Sequence, residues 1–330
     1  MSEQTIPKRR VPSYLFKAVS WLLAAGCFYL VLSRLSAAAA REGLTLLAYL
    51  LDFIGDVNWL VWFAVMMPYS VFFFLIDSNV TWRAVRWFNA PTLRYRDILP
   101  IRASAYILSL LNEQVGKGAM TLYLLRRHKT PGWETLSTMI FLGLMEIYQL
   151  LLFSVIGLIY YFEYVVEASK LLPLDVILPV VFIAAFVFLV VWISFFRGLF
   201  LKNLNIRNHR YLRAFREARL KHYALTVLYK APNLIGAVIV YTIALALFNV
   251  EASFGQLLVF LPLIFLAAAL PLPFHAGALL LWTALFPDYP EVGVFSLFMH
   301  TFFVLFNASI GLLFLPRANK ELFDEATSPQ

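Results

Sequence analysis

Charge and cysteine are both scarce in this sequence, and each shortage narrows what the chain can be. Only 14% of its 330 residues are charged, against roughly a quarter in soluble domains. Hydrophobic residues make up 62%, and a single water-soluble core stops growing near about 250–300 residues, so no such core hides that much apolar surface. The bilayer is the solvent this composition requires. The single cysteine, Cys27, excludes an intramolecular disulfide and leaves the redox compartment unmarked. Walker, HExxH and CxxC motifs are missing, as is a serine nucleophile elbow; ATP coupling, metal catalysis and serine-type hydrolysis therefore find no support. No cofactor or metal is expected. The chain is read as a non-enzyme, with an intramembrane transferase as the enzymatic alternative. The formal charge of +8 does not argue for nucleic acid, because the basic residues lie in short loops between apolar runs.

A bilayer-spanning helix needs about 20 apolar residues for roughly 30 Å of hydrocarbon. Six runs qualify: 14–34, 58–76, 135–161, 173–195, 223–248 and 293–315. The first could pass for a cleaved signal, since Lys8, Arg9 and Arg10 precede it, Leu23–Cys27 partly matches a lipoprotein box and Ala37–Ala40 a peptidase site. Ala24, however, stands where a larger aliphatic residue is usual, and the run continues to Leu32; an uncleaved helix is expected. Two further apolar stretches, 98–125 and 254–286, are broken in the middle, by Asn112–Gly118 and by Pro271–Gly277. Each is too long for one span and too short for two. Placing the N-terminus in the cytoplasm puts about twenty Lys and Arg residues inside and leaves only Arg41 and Lys170 outside, with Arg34 at the border. That bias is the positive-inside pattern, and it holds only if each broken stretch enters and leaves on one side. Both are therefore expected to be re-entrant hairpins whose irregular backbone lines a cavity or is buried in protein.

The order that results is span, span, hairpin, span, repeated with inverted orientation. The expected fold is an all-α polytopic membrane protein: six transmembrane helices plus two re-entrant helical hairpins in an inverted repeat. Its parts are a cytoplasmic tail (1–13) and a first repeat (14–161) with its hairpin at 98–125. A connector (162–222) holds the fourth span, 173–195, and a basic cytoplasmic segment. The rest of the second repeat (223–315) holds the hairpin at 254–286, and a cytoplasmic tail (316–330) follows. Gly118–Tyr123 aligns weakly with Gly277–Trp282 at the corresponding place. Paired interruptions in an inverted repeat point to a transporter's binding site, since opened helix ends offer unpaired N–H and C=O groups to a polar or anionic ligand. The plainer alternative is that the hairpins only plug the bundle.

The run Asn112–Gly118 through Arg126–Arg127, followed by an apolar helix with Glu146, resembles the transmembrane region of lysylphosphatidylglycerol synthases, the flippase-like membrane domain family. Leu270–Gly277 resembles that family's second break. This sequence departs from the pattern at three places. Ala119 follows Gly118 where a glutamate is usual, no glutamate follows Gly277 until Glu291, and no arginine stands just before Glu146. The resemblance implies movement of a lipid or lipid-linked headgroup between leaflets of a cell inner membrane. Some relatives carry a soluble aminoacyl-transferase domain; none is expected here, so neither is aminoacyl transfer.

The candidate binding residues are Asn112, Glu113, Gln114, Gly116, Lys117 and Gly118 of the first break, Glu146 and Gln149 of the third span, and Pro271, Pro273, His275 and Gly277 of the second break. A charge at the depth of Glu146 costs several kcal/mol unless paired or protonated and marks function by default. Lys117 either meets a phosphate as a point charge or pairs with Glu113 or Glu146. Lys230 either snorkels to the surface or lines the cavity, and Pro232 and Asn233 suggest a kink. His300 and Asn307 share one helix face. Residues 43–56 read as an outer lid or interfacial helix, and 205–222 as a basic helix on the cytoplasmic surface. Expected partners are membrane lipids, anionic ones above all, and an envelope-lipid biosynthesis enzyme. The alternatives to a translocase are a secondary transporter of a small anionic or amphipathic solute and a non-catalytic accessory subunit.

Overall fold

Helices form wherever the sequence is continuously apolar, because a backbone in hydrocarbon must satisfy its own hydrogen bonds. The computed structural model describes residues 13–109, 113–169, 173–201, 203–270, 272 and 275–323, and among them there are helices and no strand. Six helices are long and apolar enough to cross a membrane. They are α1 (Ser13–Arg41), α3 (Trp59–Phe88), α6 (Gly132–Tyr160), α8 (Leu174–Arg197), α10 (Leu220–Leu247) and α13 (Val292–Phe323). The chain is a multi-pass membrane protein. All six runs read from the sequence are found, but several helices overrun them. The largest extension is in α3, which continues past 76 through Asp77 to Phe88.

Both broken stretches fold as pairs of short helices. The first gives α4 (Tyr95–Ser109) and α5 (Glu113–His128); the second gives α11 (Phe254–Ala268) and α12 (Ala276–Leu285). At 1.5 Å per residue, the longest of the four reaches about 24 Å, short of a full crossing. Residues 43–56 form a short helix, α2 (Leu46–Gly55), whose N-cap Thr45 accepts a hydrogen bond from the Ala48 amide at 3.2 Å. Ser253 and Gln256 close a reciprocal capping box at the start of α11. A seven-residue helix, α7 (Phe162–Ala168), leads toward α8.

The basic segment 205–222 is not a continuous surface helix. It forms two 3-10 turns, the five-residue α9 (Arg213–Glu217) and then the first turn of α10. The reason is its aromatic residue. Phe215 is fully buried against Phe141, Trp192 and Phe196, and the Ala214 amide donates to Ser137 Oγ at 2.9 Å. Arg213 pairs with Glu134 and with Glu217. Pulling Phe215 inward breaks the periodicity that a helix lying on the surface would need.

The packing is reciprocal between the two halves. α4 lies along α13, and α11 lies along α6; α3 packs on α4, and α10 on α11; α5 packs on α6, and α12 on α13. α3 and α10 pack on each other across the middle. Glycine permits both long contacts. A Cβ at Gly157 of α6 would stand 2.9 Å from the Val259 backbone of α11, and one at Gly311 of α13 would stand 2.5 Å from the Ala103 carbonyl oxygen of α4. Such close backbone approach is how helices associate in a solvent as apolar as themselves. α1 breaks the pattern by packing on α12, whereas α8 packs on α7 and α9. The largest buried cluster joins residues of α3, α10, α11, α12 and α13, with Trp282 stacked at 6.1 Å on Tyr241 and Phe295 edge-on to it.

Candidate functional site

Four ionisable side chains of opposite sign meet between α3, α4, α6 and α10. Asp77 of α3 is 7% exposed. Its Oδ2 accepts from Arg102 Nε at 2.5 Å and from the Tyr106 hydroxyl at 3.0 Å. Arg102 and Tyr106 are one turn apart on α4 and so share a face, and the guanidinium lies over the Tyr106 ring at 5.0 Å. Arg102 Nη1 also points at Met120 Sδ of α5, 3.8 Å away. The second pair joins α6 to α10, with Lys230 Nζ 3.2 Å from Glu146 Oε2. The two pairs act on each other through space: the Lys230 charge is felt at Asp77, and that of Glu146 at Arg102 and Tyr106.

Exposure separates the members of the second pair. The Lys230 side chain is 8% exposed and that of Glu146 is 50%. Glu146 is also at the midpoint of α6, fourteen residues from each end, about 21 Å along the axis. A carboxylate facing hydrocarbon at that depth costs several kcal/mol. The cost falls when the carboxylate is paired or protonated, and Lys230 is the partner it has here. Around the pair, Tyr69 donates to the Asn233 carbonyl at 3.2 Å and Asn233 Nδ2 to the Phe73 carbonyl at 3.4 Å. Buried Gln149 Nε2, Asn233 Oδ1 and Ser78 Oγ have no hydrogen-bond partner, so unused polar capacity surrounds the charges. α10 runs through Pro232 as one helix; the proline lacks an N–H and frees the Leu228 carbonyl one turn earlier.

Of the residues expected at the site, Glu146 and Gln149 stand in or beside this cluster. Lys230 does not snorkel; it is buried against Glu146 and is the cation that pairs with it among the described residues. Asn112, Pro271 and Pro273 lie outside the described residues. Glu113, Gln114, Gly116 and Lys117 are placed on the first turns of α5, and their side chains lie outside the described set. Gly118 is exposed, and nothing comes within 4 Å of where its Cβ would be. Gly277 starts α12 against the Ala267 carbonyl of α11, where a Cβ would stand 3.0 Å away. His275 lies in the same turn and meets His300 of α13, with ring centroids 4.0 Å apart. Asn307, two turns along from His300, is buried, as their shared face implies. Among the described residues no hydrogen bond or ion pair connects His275 to the four-charge cluster.

Sequence reasoning missed Asp77, Arg102 and Tyr106. A signal was available: Arg102 and Tyr106 stand one turn apart inside an apolar stretch, and Asp77 is the one acid between Asp56 and Asp97. Compared with protein-family models, with curated proteins and with solved structures, the chain matches none.

Proposed function

We propose that this protein moves the polar headgroup of a membrane lipid, or of a lipid-linked molecule, across a cell inner membrane. Its charged centre would be the station where the headgroup is held. The observation that carries the reading is the Lys230–Glu146 pair, a buried cation whose partner is at mid-helix yet half open. The centre holds two acids and two bases, so it is close to neutral and stable when empty. An anionic headgroup enters by exchange, displacing Glu146 from Lys230 or competing with Asp77 for the Arg102 fork, which suits a phosphate. The unpartnered Gln149 Nε2, Asn233 Oδ1 and Ser78 Oγ supply donors and acceptors for the rest of a polar headgroup.

The reciprocal packing of α4 on α13 and α11 on α6 supports an inverted repeat, with 95–128 and 254–285 as re-entrant hairpins. Alternating access would then be rocking of one half on the other around the α3–α10 contact. The family resemblance of the two breaks supports lipid as cargo, and the basic bias of the loops supports cytoplasmic termini.

The test is reconstitution of the full chain in liposomes, with leaflet exchange measured for fluorescent anionic, zwitterionic and glycolipid probes beside a Glu146→Gln variant. Exchange of one headgroup class that falls at least tenfold in the variant upholds the reading. Exchange of no probe, with uptake of a small anion instead, replaces it with solute transport.

A further inference from the structure

The second break carries chemistry that the charged centre does not use. His275 has φ +50, a left-handed backbone that non-glycine residues seldom adopt, and this places its ring between the end of α11 and the start of α12. Its Nδ1 is 2.9 Å from the Ala268 carbonyl oxygen. A carbonyl only accepts, so Nδ1 carries the hydrogen and Nε2 is the atom left to take a proton. The ring's neighbour is His300, eight residues into α13. Two imidazolium charges 4.0 Å apart repel strongly away from water, so the pair holds one added proton and resists a second.

A metal does not fit as well. Two imidazoles converging on a tetrahedral ion with bonds near 2.0 Å hold their centroids about 5 Å apart, and these are closer. Among the described residues no group of three or more His, Cys, Asp or Glu gathers that could hold a metal ion.

Among the described residues no acid pairs with either ring. α11 and α12 carry no ionisable residue. On α1, Arg34 donates to the Thr283 carbonyl at 3.1 Å. Arg102 and Tyr106 of α4 are engaged with Asp77, and Tyr241 of α10 stacks on Trp282. At the near end of α13, Glu291 accepts from Tyr49; Arg317 and Lys320 lie at the far end. Glu113 and Lys117 of α5 lie outside the described side chains.

We propose that His275 and His300 form a one-proton site at the second break and that headgroup transfer is coupled to the passage of that proton. The coupling rests on the translocase reading; the one-proton site does not. The proton enters from water on one side, binds one ring nitrogen, is shared across the pair, and leaves to the other side. No bond in the cargo is made or broken.

The chain has five histidines, few enough for every imidazole to be followed by nitrogen NMR in the full-length protein in nanodiscs, with assignment by single His→Gln substitutions. The expected result is uptake by the pair in two separate steps, the second proton binding only after the first is in place. In His300→Gln the two steps should collapse to one, and the reciprocal variant should do the same. Should either variant misfold, the two-step curve of the wild type decides alone. Two independent titrations, neither moved by loss of the other ring, would overturn the site. Coupling is read in liposomes holding a pH-sensitive dye under a pH difference of about one unit. Lipid flux should rise several-fold with accompanying proton flux in the wild type, and His300→Gln should lose that response. Lipid exchange indifferent to the gradient overturns the coupling. Absence of exchange under every gradient sinks the translocase reading and the coupling with it, and leaves the one-proton site to stand or fall on the titration.

Discussion

Replacing Arg102 with methionine should be among the most costly single changes in the bundle, and replacing its partner as well should undo most of the damage. Asp77 directs one oxygen, Oδ2, at both Arg102 and Tyr106. With Arg102 gone, a carboxyl that is 7% exposed keeps only a neutral hydroxyl donor. Breaking a buried pair by removing one partner costs about 3–5 kcal/mol, most of it the stranded charge, whereas replacing both partners by apolar groups of similar volume is close to neutral. Tyr106→Phe removes a single hydrogen bond to a charged acceptor, worth about 1.5–3 kcal/mol. The order of stabilities should therefore be wild type close to Asp77→Leu/Arg102→Met, then Tyr106→Phe, then Arg102→Met alone. Equilibrium unfolding in mixed micelles gives the free energies, and the double-mutant cycle should return a coupling of about 3 kcal/mol or more. A double variant as unstable as the sum of its two singles would refute the reasoning. So would an Arg102→Met variant within about 1 kcal/mol of wild type.

The second pair should respond asymmetrically. If the open side of Glu146 meets water, as the translocase reading requires, Lys230→Met should cost less than about 1.5 kcal/mol, while Glu146→Leu strands a buried ammonium and should cost about 3 kcal/mol or more, both read by the same unfolding assay. Gly311→Ala drives a Cβ into the Ala103 carbonyl oxygen and should destabilise by about 1–3 kcal/mol. Gly26→Ala meets nothing within 4 Å and should be neutral or stabilise by up to about 1 kcal/mol; melting temperatures in detergent distinguish the two. Tyr49 donates to Glu291 at 2.9 Å and holds α2 onto the start of α13. Tyr49→Phe should speed amide exchange in α2 several-fold. Burial, reinforced by Glu291, holds the Tyr49 hydroxyl above its ordinary range. The contact is therefore fully present at neutral pH, survives past pH 10, and is lost only as the pH rises through that elevated value; exchange in the wild type should be flat from pH 7 to 9.

The spans were legible because twenty apolar residues in a row have few uses outside a bilayer, and both interruptions were visible in composition. Side-chain partners were much less so. Glu146 and Lys230 were each singled out, yet nothing in sequence spacing pairs residues on different helices, and Lys230 read more readily as snorkelling. Asp77 was hidden by its own context. The apolar run stops at 76, and a polar residue just beyond a run reads as an interfacial one, whereas α3 continues for twelve more residues and carries Asp77 into the bundle. The basic stretch misled in the opposite direction: its arginines read as a helix on the cytoplasmic membrane surface, while the decisive residue was the buried Phe215.

On the inverted-repeat reading, the two halves have been given different chemistry within one packing scheme. α4 and α11 occupy matching places, each lying along the last long helix of the opposite half. α4 brings Arg102 and Tyr106 to a buried acid, whereas α11 carries no ionisable residue and ends at a carbonyl that a histidine caps. A cation fixed in one hairpin favours an anion on that side, and an imidazole pair between the other hairpin and α13 would respond to pH instead. A rocking motion that opened the two hairpins in turn would expose these groups alternately. The asymmetry between them, rather than the symmetry of the scaffold, would give the movement a direction. Exchanging the chemistry should then weaken the direction before it weakens the fold. His300→Gln should bring inward and outward lipid flux under a pH difference to within about twofold of each other, while Arg102→Met with Asp77→Leu should remove flux in both directions at a stability close to wild type.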